Sequence, residues 1–330
     1  MTQSATSNPA EAAVLLSYQG EGATDAPLDP YKNLITRVAL YVLLSHHLSF
    51  PSNAIINVDI VNQVPFGRGM GSSASAVVAG VLLASALGDL NLSESRIKDY
   101  ALMVERHPDN VTAALCGGFT GSFLRTLDPS ELAPSSIPLA EVLPAYPANA
   151  GPPVPGQQEP PQPPVDVGRH VRYGFSKDIG VVVVVPKFEV ETAKARGALP
   201  DSYPRADVVY NLQRLAVLTA SLSASPLDPA VIWESMRDKV HQPQREGLIP
   251  GLARILNTMT PETHPGLLGV CLSGAGPTIL ALVDKTGSEG AEKKMASVGD
   301  AVKELWQEEG IEVEWLALEV DNEGATLVEL

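Results

Sequence analysis

Apolar residues along this chain follow two spacings. Strict alternation or a short unbroken run predicts a strand, and recurrence three and four residues apart predicts a helix. Residues 1–30 are rich in Ala, Ser, Thr, Gly and Pro and read as loop, with a short strand at 14–18. Over 33–48, Leu34, Val38, Tyr41, Val42 and Ser45 fall on one helical face, and Asn33 is placed to cap its start. Residues 53–62 alternate: Ile56, Val58 and Ile60 face one way, Asn57, Asp59 and Asn62 the other. A run of small apolar residues then predicts a helix to Leu87, closed by Gly88 at its C-terminal turn. Ser93 caps a further helix to about Arg106, with Ile97, Tyr100, Ala101 and Val104 inward. Pro108 ends that helix, Asp109 or Asn110 caps a short one over 111–116, and Gly117 and Gly118 stop it before a strand at 119–127.

The second half reads differently. Residues 179–185 are an unbroken apolar run stopped by Pro186, the mark of a strand buried on both faces. Helical spacing follows over 205–223 and 228–240, with a short helix at 251–258. Strands at 267–272 and 279–283 flank the loop Ser-Gly-Ala-Gly-Pro-Thr at 273–278, which is more glycine-rich than a hairpin needs. A charged amphipathic helix at 291–307 and a strand at 312–320 close the chain. This order predicts an α+β layer of antiparallel strands backed by helices. Between the halves, residues 134–164 carry eleven prolines and no apolar periodicity, so they read as a surface excursion with polyproline character.

Composition narrows the function classes. The 330 residues suffice for one large or two ordinary domains. There are 38 acidic against 23 basic residues, a net charge of −15, and no basic stripe; a nucleic-acid partner is not expected. The longest apolar runs are too short to span a bilayer, and the first residues lack the form of a secretory leader, so no membrane partner is expected and cytoplasm is the expected compartment. Cys116 and Cys271 stand far apart, without metal-ligand spacing, and read as reduced thiols.

Candidate chemistry concentrates in a few places. Pro65, Gly67, Arg68, Gly69, Met70, Gly71, Ser72, Ser73, Ala74 and Ser75 lie between the 53–62 strand and the following helix. Glycine at every second position lets backbone approach a ligand, and a helix start offers free N–H groups and a positive dipole end; together they suit a phosphate. A tight turn before a buried helix is the plainer alternative. At 105–110, Glu105, His107, Asp109 and Asn110 crowd around Pro108, more polar groups than a capped corner needs.

Two stretches and the order of the local signatures together resemble the GHMP small-molecule kinases: the 65–75 loop as their phosphate loop and 273–278 as their third motif. Those signatures are Asn-Leu-Ile-Thr-Arg at 33–37, Glu-Arg-His-Pro-Asp-Asn at 105–110, Thr-Ala-Lys-Ala-Arg-Gly at 192–197, and His-Gln-Pro-Gln-Arg at 241–245 with Leu-Ile-Pro-Gly at 248–251. Within that superfamily the match is to the fungal homoserine kinases, from about Asn33 to the C-terminus. The resemblance implies a two-domain fold, with an N-terminal domain like ribosomal protein S5 domain 2 and a ferredoxin-like C-terminal domain. The expected division is 1–32 as a poorly defined segment, 33–133 as the ATP-binding domain, 134–168 as the proline-rich insertion and 169–330 as the C-terminal domain. The implied reaction is transfer of the ATP γ-phosphoryl group to the side-chain hydroxyl of L-homoserine, in threonine biosynthesis, with Mg²⁺ as cofactor and a homodimer as the assembly.

Site roles follow from the same resemblance. The 65–75 loop with Gly274 and Gly276 would bind ATP; Ser72 or Ser73, with Glu105, would hold Mg²⁺. Thr112 would face the γ-phosphate. His107, Asn110, Arg196 and Arg245 would bind homoserine, the arginines through its carboxylate. Asp109 is the nearest candidate base; Asn110, orienting the hydroxyl, is the preferred alternative. The family also has an opening motif of the form P-A-S-S-A-N-x-G-x-G-x-D, and nothing of this form precedes Asn33. The expectation is a chain that starts late relative to the family, without that motif or the strand that carries it, leaving an unpaired sheet edge and an uncovered core face. Two further readings stand: another GHMP kinase with a different hydroxyl substrate, and a relative that binds nucleotide without turnover.

Overall fold

A computed structural model of the chain describes residues 13–51, 54–131, 160–287 and 290–329. The opening residues 1–12 and most of the proline-rich stretch, 132–159, lie outside the described residues, and with them the expectations made for those segments. The chain divides into two compact units: 1–65 with 71–172 and 322–330, and 66–70 with 173–321. Neither unit is continuous in sequence.

The first unit opens with β1 (Ala13–Gly20), α1 (Leu34–Ser45) and β2 (Ile55–Asn62), with β1 and β2 paired in parallel. Parallel neighbours need a crossover, and α1 supplies it. Asn33 caps α1 as expected, its Oδ1 accepting the Ile35 N–H at 3.0 Å. Helix α2 (Ser72–Leu87) packs against α1, and its Ala74, Val77, Val81 and Ala84 are buried. The approach is close: a Cβ on Gly80 would lie 2.5 Å from the Ile35 carbonyl oxygen, which explains the run of small residues. Helix α3 (Glu94–Val104) is capped by Ser93 Oγ and stops two residues before the expected end. Helix α4 (Pro108–Cys116), β3 (Phe119–Leu124) and β4 (Gly168–Tyr173) complete the unit, with β3 and β4 paired.

Two local expectations change here. Gly88 ends α2 with φ −94°, so it is not a left-handed stop; it is small because Leu43, Leu48 and Leu90 crowd its Cα. At the C-terminal end of α1, burial, with Arg96 and His47 nearby, pushes the His46 pKa down, and its Nε2 meets the Tyr100 hydroxyl at 2.8 Å. Finally, α4 starts at Pro108 itself, with His107 at the cap position and no side-chain cap bond. Proline needs no hydrogen bond at the first helical position and its φ suits a helix. Asp109 and Asn110 are therefore first-turn residues rather than caps.

The described end of the proline-rich stretch is tied down. Arg96 donates to the carbonyls of Pro163 and Pro164, Gln162 to that of Ser45, and Tyr41 to that of Pro161. Asp99, fully buried, accepts the N–H groups of Asp166 (3.0 Å) and Val167 (2.8 Å) and an Arg96 guanidinium N–H at 2.8 Å.

The second unit contains β5 (Ile179–Pro186), α5 (Thr192–Gly197), α6 (Arg205–Ser221), α7 (Pro229–Ser235), a 3₁₀ turn (Pro243–Leu248), α8 (Leu252–Thr258), β6 (Leu267–Leu272), β7 (Ile279–Asp284), α9 (Ala291–Glu308) and β8 (Val313–Leu318). The sheet order is β6-β7-β5-β8, antiparallel throughout. With helices in the β5–β6 and β7–β8 connections, this is the ferredoxin-like arrangement. Strand β5 is central and nearly all buried, as its unbroken apolar run requires. One face of the sheet joins α8 and α9 in a core around Ile249, Leu252, Ile255, Val302 and Trp306. Helix α7 ends at Ser235, short of the expected 240, and the chain turns instead through 236–242. Helix α6 buries none of its residues; Leu212 and Leu215 are exposed.

Candidate active site

In the first unit the polar groups gather at the start of α2. Gly71 precedes the helix in the left-handed region (φ +78°), and no side chain caps the first turn. The N–H groups there face outward with the positive end of the dipole behind them. Ser73 donates its hydroxyl proton to Glu105 Oε2 at 2.8 Å. Glu105 is the residue that ends α3, and its other oxygen closes on His107 Nδ1. Asn110, on the first turn of α4, brings Oδ1 within 3.4 Å of where a Cβ on Gly71 would sit. Its Nδ2 donates to Asp109 Oδ2 at 3.3 Å, and Asp109 is exposed. Thr112 is buried, and its Oγ1 has no hydrogen-bond partner among the described residues.

This unit thus gathers Gly71, Ser73, Glu105, His107 and Asn110, residues from 71–73 and 105–110 that only α2–α4 packing brings together. Other predicted residues do structural work. Pro65 and Ala74 are buried, and Ser75 returns its hydroxyl to the Gly71 carbonyl at 3.2 Å. A separate group in the same unit, Glu94, Cys116 and His170, has ligand atoms close enough for a metal ion. The Lys98 ammonium already sits 2.9 Å from His170 Nδ1 and fills the need for a cation there.

In the second unit, residues 66–70 are held by their carbonyls. Gly67 O accepts Val190 N–H at 3.2 Å, Arg68 O accepts Thr278 N–H at 3.3 Å, and Gly69 O accepts the Ser273 hydroxyl at 2.7 Å. Gly67 and Gly69 have φ of +63° and +72°, and Gly274 and Gly276 of +54° and +84°. The two glycine loops predicted from sequence therefore touch: a Cβ on Gly69 would meet Ser273 O at 2.2 Å. Thr278 is fully buried, and its Oγ1 has no hydrogen-bond partner among the described residues.

Arg196 is exposed near the end of α5. Arg245, on the 3₁₀ turn, is 3% exposed, and its Nε and Nη1 make no hydrogen bond among the described residues. Burial pushes its pKa below the ordinary value; Tyr203 and Asp238 oppose the shift, and Arg196 adds to it. The sequence reading missed Asp238 and Gln242, whose bonds shape this turn. The signal was an aspartate two to four residues before backbone N–H groups that proline at 243 leaves outside any helix.

The chain matches the family model for the GHMP kinases N terminal domain over residues 33–118 and that for the GHMP kinases C terminal over 230–301. It is 48% identical to the homoserine kinase of Saccharomyces cerevisiae over 318 residues, covering 94% of this chain and 84% of that one. It is 43% identical to the homoserine kinase of Schizosaccharomyces pombe over 317 residues, 95% of this chain and 86% of that one. Among solved structures, the fold is shared with homoserine kinase from Cytophaga hutchinsonii, with TM-score 0.69, 23% identity, and coverage of 95% and 84% of the two chains. It is also shared with L. major mevalonate kinase, with TM-score 0.58, 17% identity, and coverage of 96% and 85%. The chain belongs to the homoserine kinase family of the GHMP kinases.

Proposed function

We propose that this protein transfers the γ-phosphoryl group of ATP to the side-chain hydroxyl of L-homoserine, giving O-phospho-L-homoserine for threonine biosynthesis. The reading includes Mg²⁺ as cofactor, the cytoplasm as its compartment and a homodimer as its assembly. The observation that carries it is Arg245: a buried guanidinium whose Nε and Nη1 make no hydrogen bond among the described residues calls for an anion. An amino-acid carboxylate supplies one; a sugar hydroxyl does not.

The residues fit ATP with Mg²⁺. Positive-φ glycines and an uncapped helix start suit the phosphates. Ser73 and Glu105 offer the hard oxygens that Mg²⁺ prefers, and Ser72 stands beside them in sequence. When bound, the ion neutralises charge on the phosphoryl oxygens. Phosphoryl transfer needs positioning and charge neutralisation more than covalent help. Arg245 and Arg196 hold the carboxylate, and His107 lies against the rest of homoserine. Asn110 orients the acceptor hydroxyl, and the unpartnered Thr112 hydroxyl receives a γ-phosphate oxygen. Asp109 is exposed and already accepts from Asn110, so it is the weaker candidate for a base.

An ADP-release assay with homoserine, mevalonate and galactose tests the reading. Turnover with homoserine alone is expected. Preference for either other alcohol, or nucleotide binding without any turnover, would overturn it.

A further inference from the structure

The Asp238 carboxylate sits at the turn between α7 and the 3₁₀ turn that carries Arg245. Its Oδ1 accepts the Val240 N–H at 3.0 Å and the Asn211 side-chain amide from α6. Its Oδ2 accepts the N–H groups of His241, at 2.9 Å, and Gln242. Four donors thus converge on one side chain. Burial acts to raise the pKa, but these bonds outweigh it and hold the carboxyl below its usual range. Asn211 is itself fixed, its Oδ1 accepting Lys239 N–H at 2.9 Å.

Gln242 passes this order on in two directions. Its carbonyl accepts the Arg245 N–H at 3.0 Å, and its side-chain Oε1 accepts the Leu272 N–H at 2.8 Å. Arg245 makes no hydrogen bond through Nε or Nη1 among the described residues, so those atoms do not fix its guanidinium. Its aim depends on the backbone of the turn. We infer that Asp238 is the positioning residue for Arg245, gathering three consecutive amides so that the turn holds the guanidinium where a substrate carboxylate must dock. The inference rests on the homoserine reading above.

Asn is the sharp probe. It keeps the shape of Asp but replaces one two-donor acceptor oxygen with an NH₂ group, which faces N–H donors it cannot satisfy. Asp238→Asn is expected to raise the homoserine KM tenfold or more and leave the ATP KM within twofold. A merely structural turn would not confine the loss to one substrate. In an Arg245→Ala background the same change is expected to alter the homoserine KM less than twofold, because the group it positions is gone. If Asp238→Asn does not fold, Asn211→Ala removes one of the four donors to Asp238, together with the acceptor of the Lys239 N–H, and is expected to raise the homoserine KM severalfold, again sparing ATP. Equal losses for both substrates, or full additivity with Arg245→Ala, would overturn the inference. Absence of homoserine turnover in the unmodified protein would instead overturn the proposed function.

Discussion

Gly69→Ala perturbs the contact on which the two glycine loops depend. Gly69 has φ +72°, and a Cβ there would lie 2.2 Å from Ser273 O, 2.9 Å from Gly276 N and 3.0 Å from Gly276 O. All three are backbone atoms, so no side chain can swing aside. Left-handed backbone costs a non-glycine residue about 1–2 kcal/mol. One loop must also retreat by roughly 1 Å to restore ordinary contact. That breaks the 2.7 Å bond from Ser273 Oγ to Gly69 O and strains the one from Thr278 N to Arg68 O, at about 1 kcal/mol each. The sum, about 3 kcal/mol, lowers the population of the native loop by roughly 100-fold. Nucleotide titration calorimetry, with the ATP KM beside it, should show weakening of that order. Gly197→Ala, where nothing lies within 4 Å of the added carbon, should leave ATP binding unchanged. ATP affinity within threefold of the unmodified protein for Gly69→Ala would refute the idea that this contact shapes the phosphate loop.

Arg245→Ala should raise the homoserine KM at least tenfold with little change for ATP, since an unpaired carboxylate loses a charged partner; an unchanged homoserine KM would remove Arg245 from the site. Asp99→Ala strips the acceptor from two backbone N–H groups and a guanidinium, so urea unfolding should show a loss of about 3 kcal/mol, and a loss under about 1 kcal/mol would mean the 163–167 segment finds other partners. Burial pushes the Cys116 thiol up to about 11, with Glu94 adding to the shift, and the Cys271 thiol up to about 12, so iodoacetamide at neutral pH should label the folded protein slowly at both; rapid labelling would contradict their environments. Because Asp238 has a folded pKa below its unfolded value, its contribution to stability is complete above the ordinary carboxylate range and is lost as pH falls through the folded value. Asp238→Asn should flatten the acid limb of a stability–pH curve, and an unaltered limb would show that this carboxylate does not titrate as described.

Local features were legible because their causes are local. The caps at Asn33 and Ser93 follow from side chains that reach backbone N–H groups within three residues. Alternation gave β2, the unbroken run gave β5, and the spaced glycines at 67, 69 and 71 all take positive φ. The polar crowd at 105–110 is likewise a set of sequence neighbours.

Other outcomes depended on partners far along the chain. Asp109 and Asn110 had equal standing as caps until α4 was seen to start at Pro108, which leaves Asn110 beside Gly71. The 228–240 helical pattern ended early because Asp238 gathers the amides of 240–242 and binds Asn211 on α6. The bond between Ser273 and Gly69 spans 204 positions, and the burial of Arg245 with Nε and Nη1 unbonded among the described residues is a property of everything packed around it. Propensity and periodicity report on neighbours within a turn or a strand. Which distant groups meet, and which buried donor keeps no hydrogen bond among the described residues, is fixed only when the whole chain has packed.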